Sequence, residues 1–180
     1  MSIDDLLIDD RENGLFRVNR QTFTDPDILD HERQKIFSHC WLYAGHESEF
    51  AAPGSFLSRK VGGRPIILTR ADDNKIRGFF NACSHRGNLV CREKTGKTKL
   101  LRCFYHSWAF DLQGALKGLP GPEAYTDCWD RDEMGLTPVP RVESYRGLVF
   151  VCYDENAEPL SDYLLSLIHI SEPTRPIRIA

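Results

Sequence analysis

The sequence predicts a mainly β protein with an N-terminal α-helical segment: a small antiparallel β domain preceded by one short helix. Two observations carry this. A single strong helix start sits near the N-terminus, and from Trp41 onward the chain breaks into short β-rich runs separated by Gly, Pro, Asn and Asp. Its 180 residues, 41% hydrophobic and 27% charged, suit one globular domain with an appendage.

In order along the chain, residues 1–24 show no strong period. The stretch TDPDILDHERQKIF follows, with Asp25 placed as N-cap and Pro26 at the first helical position. Leu29, Ile36 and Phe37 give a narrow apolar face at helical spacing, so a helix is expected over about 26–38. Ala52-Pro53-Gly54 is a turn, and Phe56–Val61 and Pro65–Thr69 read as strands flanking Gly62-Gly63. Asp72-Asp73-Asn74 is a hairpin tip leading to a strand at Ile76–Phe80. Lys99–Arg102, Ala109–Leu112 and Leu148–Tyr153 complete the expected strands, and GLPGP at 118–122 excludes regular structure.

The tail reads differently. Residues 165–175, LSLIHISEPTR, resemble the translation of a transposon-type sequencing adapter. Residues 165–180 are therefore expected to be a non-native scar, and His169 is set aside as a ligand candidate. The natural protein is expected to continue past Leu164.

Bulk properties narrow the function. A net charge of −3 gives no reason to expect nucleic acid or an anionic membrane as partner. No 18-residue apolar run is present to span a bilayer. The acidic start MSIDDLLIDDRENG lacks the basic and apolar regions of a signal peptide, so the cytoplasm is expected. The six cysteines (40, 83, 91, 103, 128 and 152) then read as thiols or metal ligands rather than disulfides.

Two of them stand apart. Cys83-x-His85 and Cys103-x-x-His106 bracket a basic loop, and each pair can converge on one site from one tight turn. Two soft thiolates and two imidazoles suit a structural zinc ion or an iron–sulfur cluster. Zinc fingers usually pair Cys with Cys and His with His. A mixed pair from each loop instead suits a [2Fe-2S] centre in which each loop gives one ligand to each iron. Cys91 lies outside both boxes; Cys40, Cys128 and Cys152 are expected to pack as small hydrophobes, and Trp41 and Trp129 as core.

The stretches N-x-C-x-H-R-G at Asn81–Gly87 and C-x-Y-H-x-W-x-F at Cys103–Phe110 resemble the Rieske motif of aromatic-ring-hydroxylating oxygenase large (α) subunits. Cys40–His46, Pro53-Gly54, Gly114 and Pro120–Pro122 extend the likeness, which covers about residues 10–164. The resemblance implies a Rieske-type antiparallel β domain at 41–155, a helical extension at 1–40, and the start of a linker to a catalytic domain at 156–164. It implies a [2Fe-2S] cluster on Cys83, His85, Cys103 and His106, and a mononuclear Fe(II) only in the parent protein. That parent would be a dioxygenase taking electrons from a ferredoxin or flavin reductase, using O2 on an aromatic substrate, and assembling as α3 or α3β3. The texture of the N-terminal region resembles subunits acting on aromatic carboxylates such as benzoate or cumate. This stretch alone is expected only to relay electrons, because no His-x4-His pair for the second iron is present. Arg86, Arg92, Lys94, Lys97 and Lys99 read either as a solvated loop or as a docking patch for an acidic donor. A free-standing Rieske ferredoxin and a zinc module remain as alternatives.

One departure is Ser107, where the family more often has glycine; a hydroxymethyl group is tolerated there unless φ is positive. The positions that carry an additional disulfide in respiratory Rieske proteins look like Asn88 and Tyr105 here, and Trp108 stands where those proteins place a serine near sulfide. Fewer hydrogen bonds to sulfur stabilise the reduced centre less. The midpoint potential is accordingly expected at the low end of the Rieske range, about −150 mV; a strongly positive value in a potentiometric titration would refute this.

Overall fold

A computed structural model describes residues 6–125 and 130–171, with side chains up to Leu165. Cys128, Trp129 and the side chain of His169 lie outside the described residues. The order is β1 (Leu7–Asp10), β2 (Leu15–Val18), α1 (Pro26–Lys35), β3 (Leu42–His46), β4 (Ser55–Val61), β5 (Arg64–Arg70), β6 (Ile76–Phe80), β7 (Thr95–Lys97), β8 (Leu100–Arg102), β9 (Ala109–Asp111), β10 (Leu116–Gly118), β11 (Arg141–Tyr145), β12 (Leu148–Cys152) and α2 (Leu160–Ser171). The mainly β expectation holds.

The strands form a four-stranded sheet β6-β5-β4-β7, a three-stranded sheet β11-β12-β3, a three-stranded sheet β10-β9-β8 and the separate hairpin β1-β2, with every pairing antiparallel. β5 organises the interior. Side chains alternate across a strand, and on β5 Ile66 and Leu68 enter one core while Ile67 enters another. The first core joins the four-stranded sheet to β11-β12-β3 through Ala44, Leu57, Val61, Val149 and Val151. The second lies beneath the loops that carry Cys83 and Cys103, and contains Phe56, Phe79, Val90, Leu101, Trp108, Phe110 and Leu116. Burying each such side chain is worth about 1.5–3 kcal/mol, so β5 ties the cysteine-bearing end to the rest of the domain.

Strand ends shift by a residue or so, Gly118 closes β10 inside the stretch expected to be irregular, and three larger differences stand out. The helix ends at Lys35 rather than 38: the Ile36 amide still donates to Glu32, but Phe37 donates to that same carbonyl, and the Ser38 hydroxyl caps Arg33 O at 2.7 Å. The N-terminal extension is not purely helical, because β1 and β2 pair ahead of α1. The stretch expected as the start of a linker begins α2 at Leu160, whose amide donates to Glu143 Oε2 at 3.0 Å and whose side chain is buried. Trp41 is core, as expected, and its indole N–H donates to Glu158 O at 2.9 Å.

Gly114 shows how tightly the second core is closed. Its φ is +89°, its carbonyl accepts from Leu136 at 2.7 Å, and an added Cβ would stand 2.4 Å from the Phe79 ring. Gly114→Ala should therefore cost about 3 kcal/mol through backbone strain and overpacking. Thermal melting should show the midpoint falling by about 10 °C.

Candidate metal centre

Two loops with one backbone plan form the centre. The Cys83 amide donates to Asn88 O and the Gly87 amide donates back to Cys83 O, both at 2.8 Å. The Cys103 amide donates to Trp108 O at 2.8 Å and the Ser107 amide to Cys103 O at 3.0 Å. In each loop the fifth residue is left-handed, Gly87 at φ +72° and Ser107 at φ +57°. Such a loop turns its first residue inward and holds its third and fourth at the rim, which is why Cys-x-His and Cys-x-x-His serve equivalent ends. β8 and β9 pair Arg102 with Ala109 and so close the second loop at its base.

The first loop leaves β6 without a hairpin partner of its own, and Asn81 substitutes for one. Its buried side chain accepts from the Val90 and Cys91 amides at 2.9 Å each and donates to Cys91 O at 2.7 Å and Ser58 Oγ at 3.1 Å. The amide group thereby bridges the loop's two ends and leaves no buried polar atom of its own unpaired. Sequence reading had Asn81 only as a motif letter; a polar residue closing the apolar run IRGFF is the signal for its role. Ser84 adds a tie to Met134 O at 2.8 Å, and Arg92 of the first segment covers the Phe104 ring of the second loop at 3.3 Å.

The four candidate donors separate into a thiol pair and an imidazole pair. Cys83 and Cys103 are buried, 4% and 2% exposed, within one core cluster. Burial pushes the Cys83 thiol up, and the amides of His85 and Arg86, which point at its sulfur, oppose that. His85 and His106 are half-buried at the rim with ring centroids 4.6 Å apart, edge to face. Burial, then the charges of His106 and Arg86, holds His85 below the usual imidazole range, favouring the neutral ligand form. Its Nδ1 is buried without a hydrogen-bond partner. A buried acceptor left unpaired is costly, and a metal ion is the partner such an atom fits.

Among the described residues, no three His, Cys, Asp or Glu side chains converge to hold a single metal ion. The donors come instead as two soft sulfurs on one side and two nitrogens on the other, which suits two irons better than one zinc. Cys91 stays out: its thiol donates to Glu93 O at 3.3 Å, and burial followed by the Glu93 charge pushes it up to about 11. Cys152 is buried as expected, while Cys40 is only half-buried.

Ser107 has the positive φ that its side chain tolerates poorly. A left-handed backbone costs an L-residue with a Cβ about 1–2 kcal/mol, part of which glycine returns as unfolded-chain entropy. Ser107→Gly should raise stability by about 0.5–1 kcal/mol, read as a rise of about 2 °C in melting midpoint.

The comparisons with known proteins fall on the same residues. A family model described as Rieske [2Fe-2S] domain matches residues 40–145. The alpha subunit of toluate 1,2-dioxygenase from Pseudomonas putida is 36% identical over 165 residues, which is 90% of this chain and 36% of that protein. The crystal structure of naphthalene 1,2-dioxygenase from Rhodococcus sp. bound to indole is similar with a TM-score of 0.78 and 37% identity, over 86% of this chain and 36% of that one. A quaternary ammonium Rieske monooxygenase is similar with a TM-score of 0.72 and 34% identity, over 80% of this chain and 40% of that one. The chain spans about a third of the length of the curated relatives it matches. With the family match covering more than half of its 180 residues and the paired thiols and imidazoles lying within it, the chain belongs to the Rieske [2Fe-2S] domain family.

Proposed function

We propose that Cys83 and Cys103 hold one iron of the cluster and His85 and His106 the other, and that the chain is the electron-relay portion of a ring-hydroxylating dioxygenase α subunit. The observation that carries this is the sorting of donors by two matched loops: both thiols inward, both imidazoles at the rim, with a buried His85 Nδ1 left for a metal. When bound, the cluster supplies a one-electron carrier between an external donor and the mononuclear Fe(II) of the parent protein.

The chain's own residues have separable tasks. Leu101, Phe110 and Leu116 wall the thiol side away from water. Asn81 and the four loop-closing hydrogen bonds hold the donors at fixed separation. Arg86, Arg92, Lys94, Lys97, Lys99 and Arg102 are exposed along the segment 81–110, whose single acid is Glu93, in a chain whose net charge is −3. Such a local excess steers an acidic partner to the imidazole edge and accelerates encounter at low salt. That partner is a ferredoxin or flavin reductase.

The parent is read as a cytoplasmic α3 or α3β3 assembly that uses O2 on an aromatic ring. Within it, 41–155 is the Rieske domain, 1–40 an extension, 156–164 the passage toward the catalytic portion and 165–180 a scar. Among the described residues no helix is long and apolar enough to cross a membrane. Similarity to the toluate enzyme's α subunit runs over 165 residues, beyond the 40–145 of the domain match, which favours an oxygenase over a free-standing Rieske ferredoxin.

Anaerobic reconstitution of the chain with iron and sulfide tests the ligand set. The loaded chain should be red-brown and give a rhombic EPR signal on reduction. His85→Ala and His106→Ala should each abolish that signal, while Cys91→Ala should keep it. A colourless protein with stoichiometric zinc, or loss of the signal in Cys91→Ala, would refute the assignment.

A further inference from the structure

Trp108 belongs to the second loop, yet its ring serves the first. Its main-chain carbonyl accepts from Cys103 at 2.8 Å, which fixes its place in the loop closure. The indole is 3% exposed and lies parallel to the His85 imidazole, with centroids 4.9 Å apart and planes within 8°. Tyr125 meets the indole edge-on at 6.3 Å, and His106 meets His85 edge-on at 4.6 Å. One face of His85 is thus covered by a rigid apolar plate, and the ring is stacked within a group of four aromatic side chains from three segments. Offset and edge-to-face ring pairs are the arrangements aromatic quadrupoles favour. A single χ2 rotation of His85 would break the stack, so the plate restricts the ring plane and with it the direction of Nδ1.

We propose that Trp108 is a positioning residue for His85: its stacked indole sets the imidazole plane and excludes water from that face, and thereby tunes the centre's electronic anisotropy and reduction potential. The proposal rests on His85 being a ligand. It assigns a use to the indole that stands where respiratory Rieske proteins are expected to place a serine: this chain shields that flank with an apolar ring. Solvent access and ligand orientation are both levers on the properties of a metal site.

The test compares Trp108→Leu, Trp108→Phe and Val149→Ala in the reconstituted chain, reading EPR line shape, midpoint potential and iron content together. Val149 is buried in the other core, which holds no candidate ligand, and reports loss of packing alone. Trp108→Leu should alter the spread of g values and raise the potential, because water reaching the imidazole face stabilises the reduced, more negative centre. The expected shift is about threefold or more in the reduction equilibrium, about 28 mV at 59 mV per tenfold for one electron. Trp108→Phe, which restores a stacking ring, should return both readouts toward wild type, and Val149→Ala should lower melting without moving either. Iron lost from Trp108→Leu but retained by Trp108→Phe would support the same role through ligand retention. Wild-type line shape and potential in Trp108→Leu, or equal disturbance in Trp108→Leu and Trp108→Phe, would overturn it. A wild-type chain with no rhombic signal would sink the ligand assignment itself, and this proposal with it.

Discussion

The site depends on one constraint: each cysteine both donates its amide to the far end of its loop and accepts, at its carbonyl, from the residue one position short of that end. Two such bonds on one residue leave the loop a single way to close, and the cysteine side chain has only the interior to enter. The histidine, two or three positions later, is then carried to the rim. The cost appears at the fifth position, which must be left-handed. Gly87 meets it freely, while Ser107 meets it with a Cβ and is held there by the β8–β9 pairing on either side.

The loops need a floor, and β5 supplies it. A strand buried on both faces couples two cores that would otherwise be independent, so the sheet-on-sheet packing of β3, β4 and β12 reaches the thiols through Ile67, Phe79 and Phe110. The Thr69 hydroxyl, donating to Leu112 O at 2.7 Å, satisfies the polar atom this double burial would otherwise strand. Asn81 does the equivalent for the first loop. Preorganisation of this kind matters for a redox site, because a centre held in one geometry needs little rearrangement between its two charge states.

How much of this was legible in the sequence follows the range of each interaction. The donor pairs are local patterns of three and four residues, and they were visible at once. So were β4, β5 and β6, whose apolar runs are punctuated by Gly62-Gly63 and Asp72-Asp73-Asn74. β11, RVESY, has a weak alternation and no turn before it, and it exists because Val142 and its neighbours pair residue for residue with β12. β7 and β10 are three residues each, formed by pairing rather than by propensity. The hairpin β1-β2 has largely exposed side chains and so no buried face to write a pattern. The end of α1 was misplaced because Ile36 and Phe37 continue its apolar spacing while Ser38 competes for the carbonyl of Arg33. Trp108 was legible as the replacement of a serine but not as a partner of His85, because stacking across two loops leaves no mark in spacing.

The separation of thiols from imidazoles also orders the surface. On the proposed ligand set the thiol side is enclosed by apolar side chains, so an electron crosses the protein boundary most directly through the imidazole rim. Around that rim Phe104 and Tyr105 are 51% and 53% exposed, and Arg92 lies across the Phe104 ring. Apolar area at the centre with cations around it is how protein interfaces are built, the former for contact and the latter for steering. Screening limits such steering to about 8 Å at physiological ionic strength, so only the cations beside the rim can orient a partner there. Arg86, Arg92 and Arg102 meet that condition by sequence or contact, each within a few residues of a donor or against a neighbouring ring. The lysines at 94, 97 and 99 are exposed on the same segment and add to its positive charge.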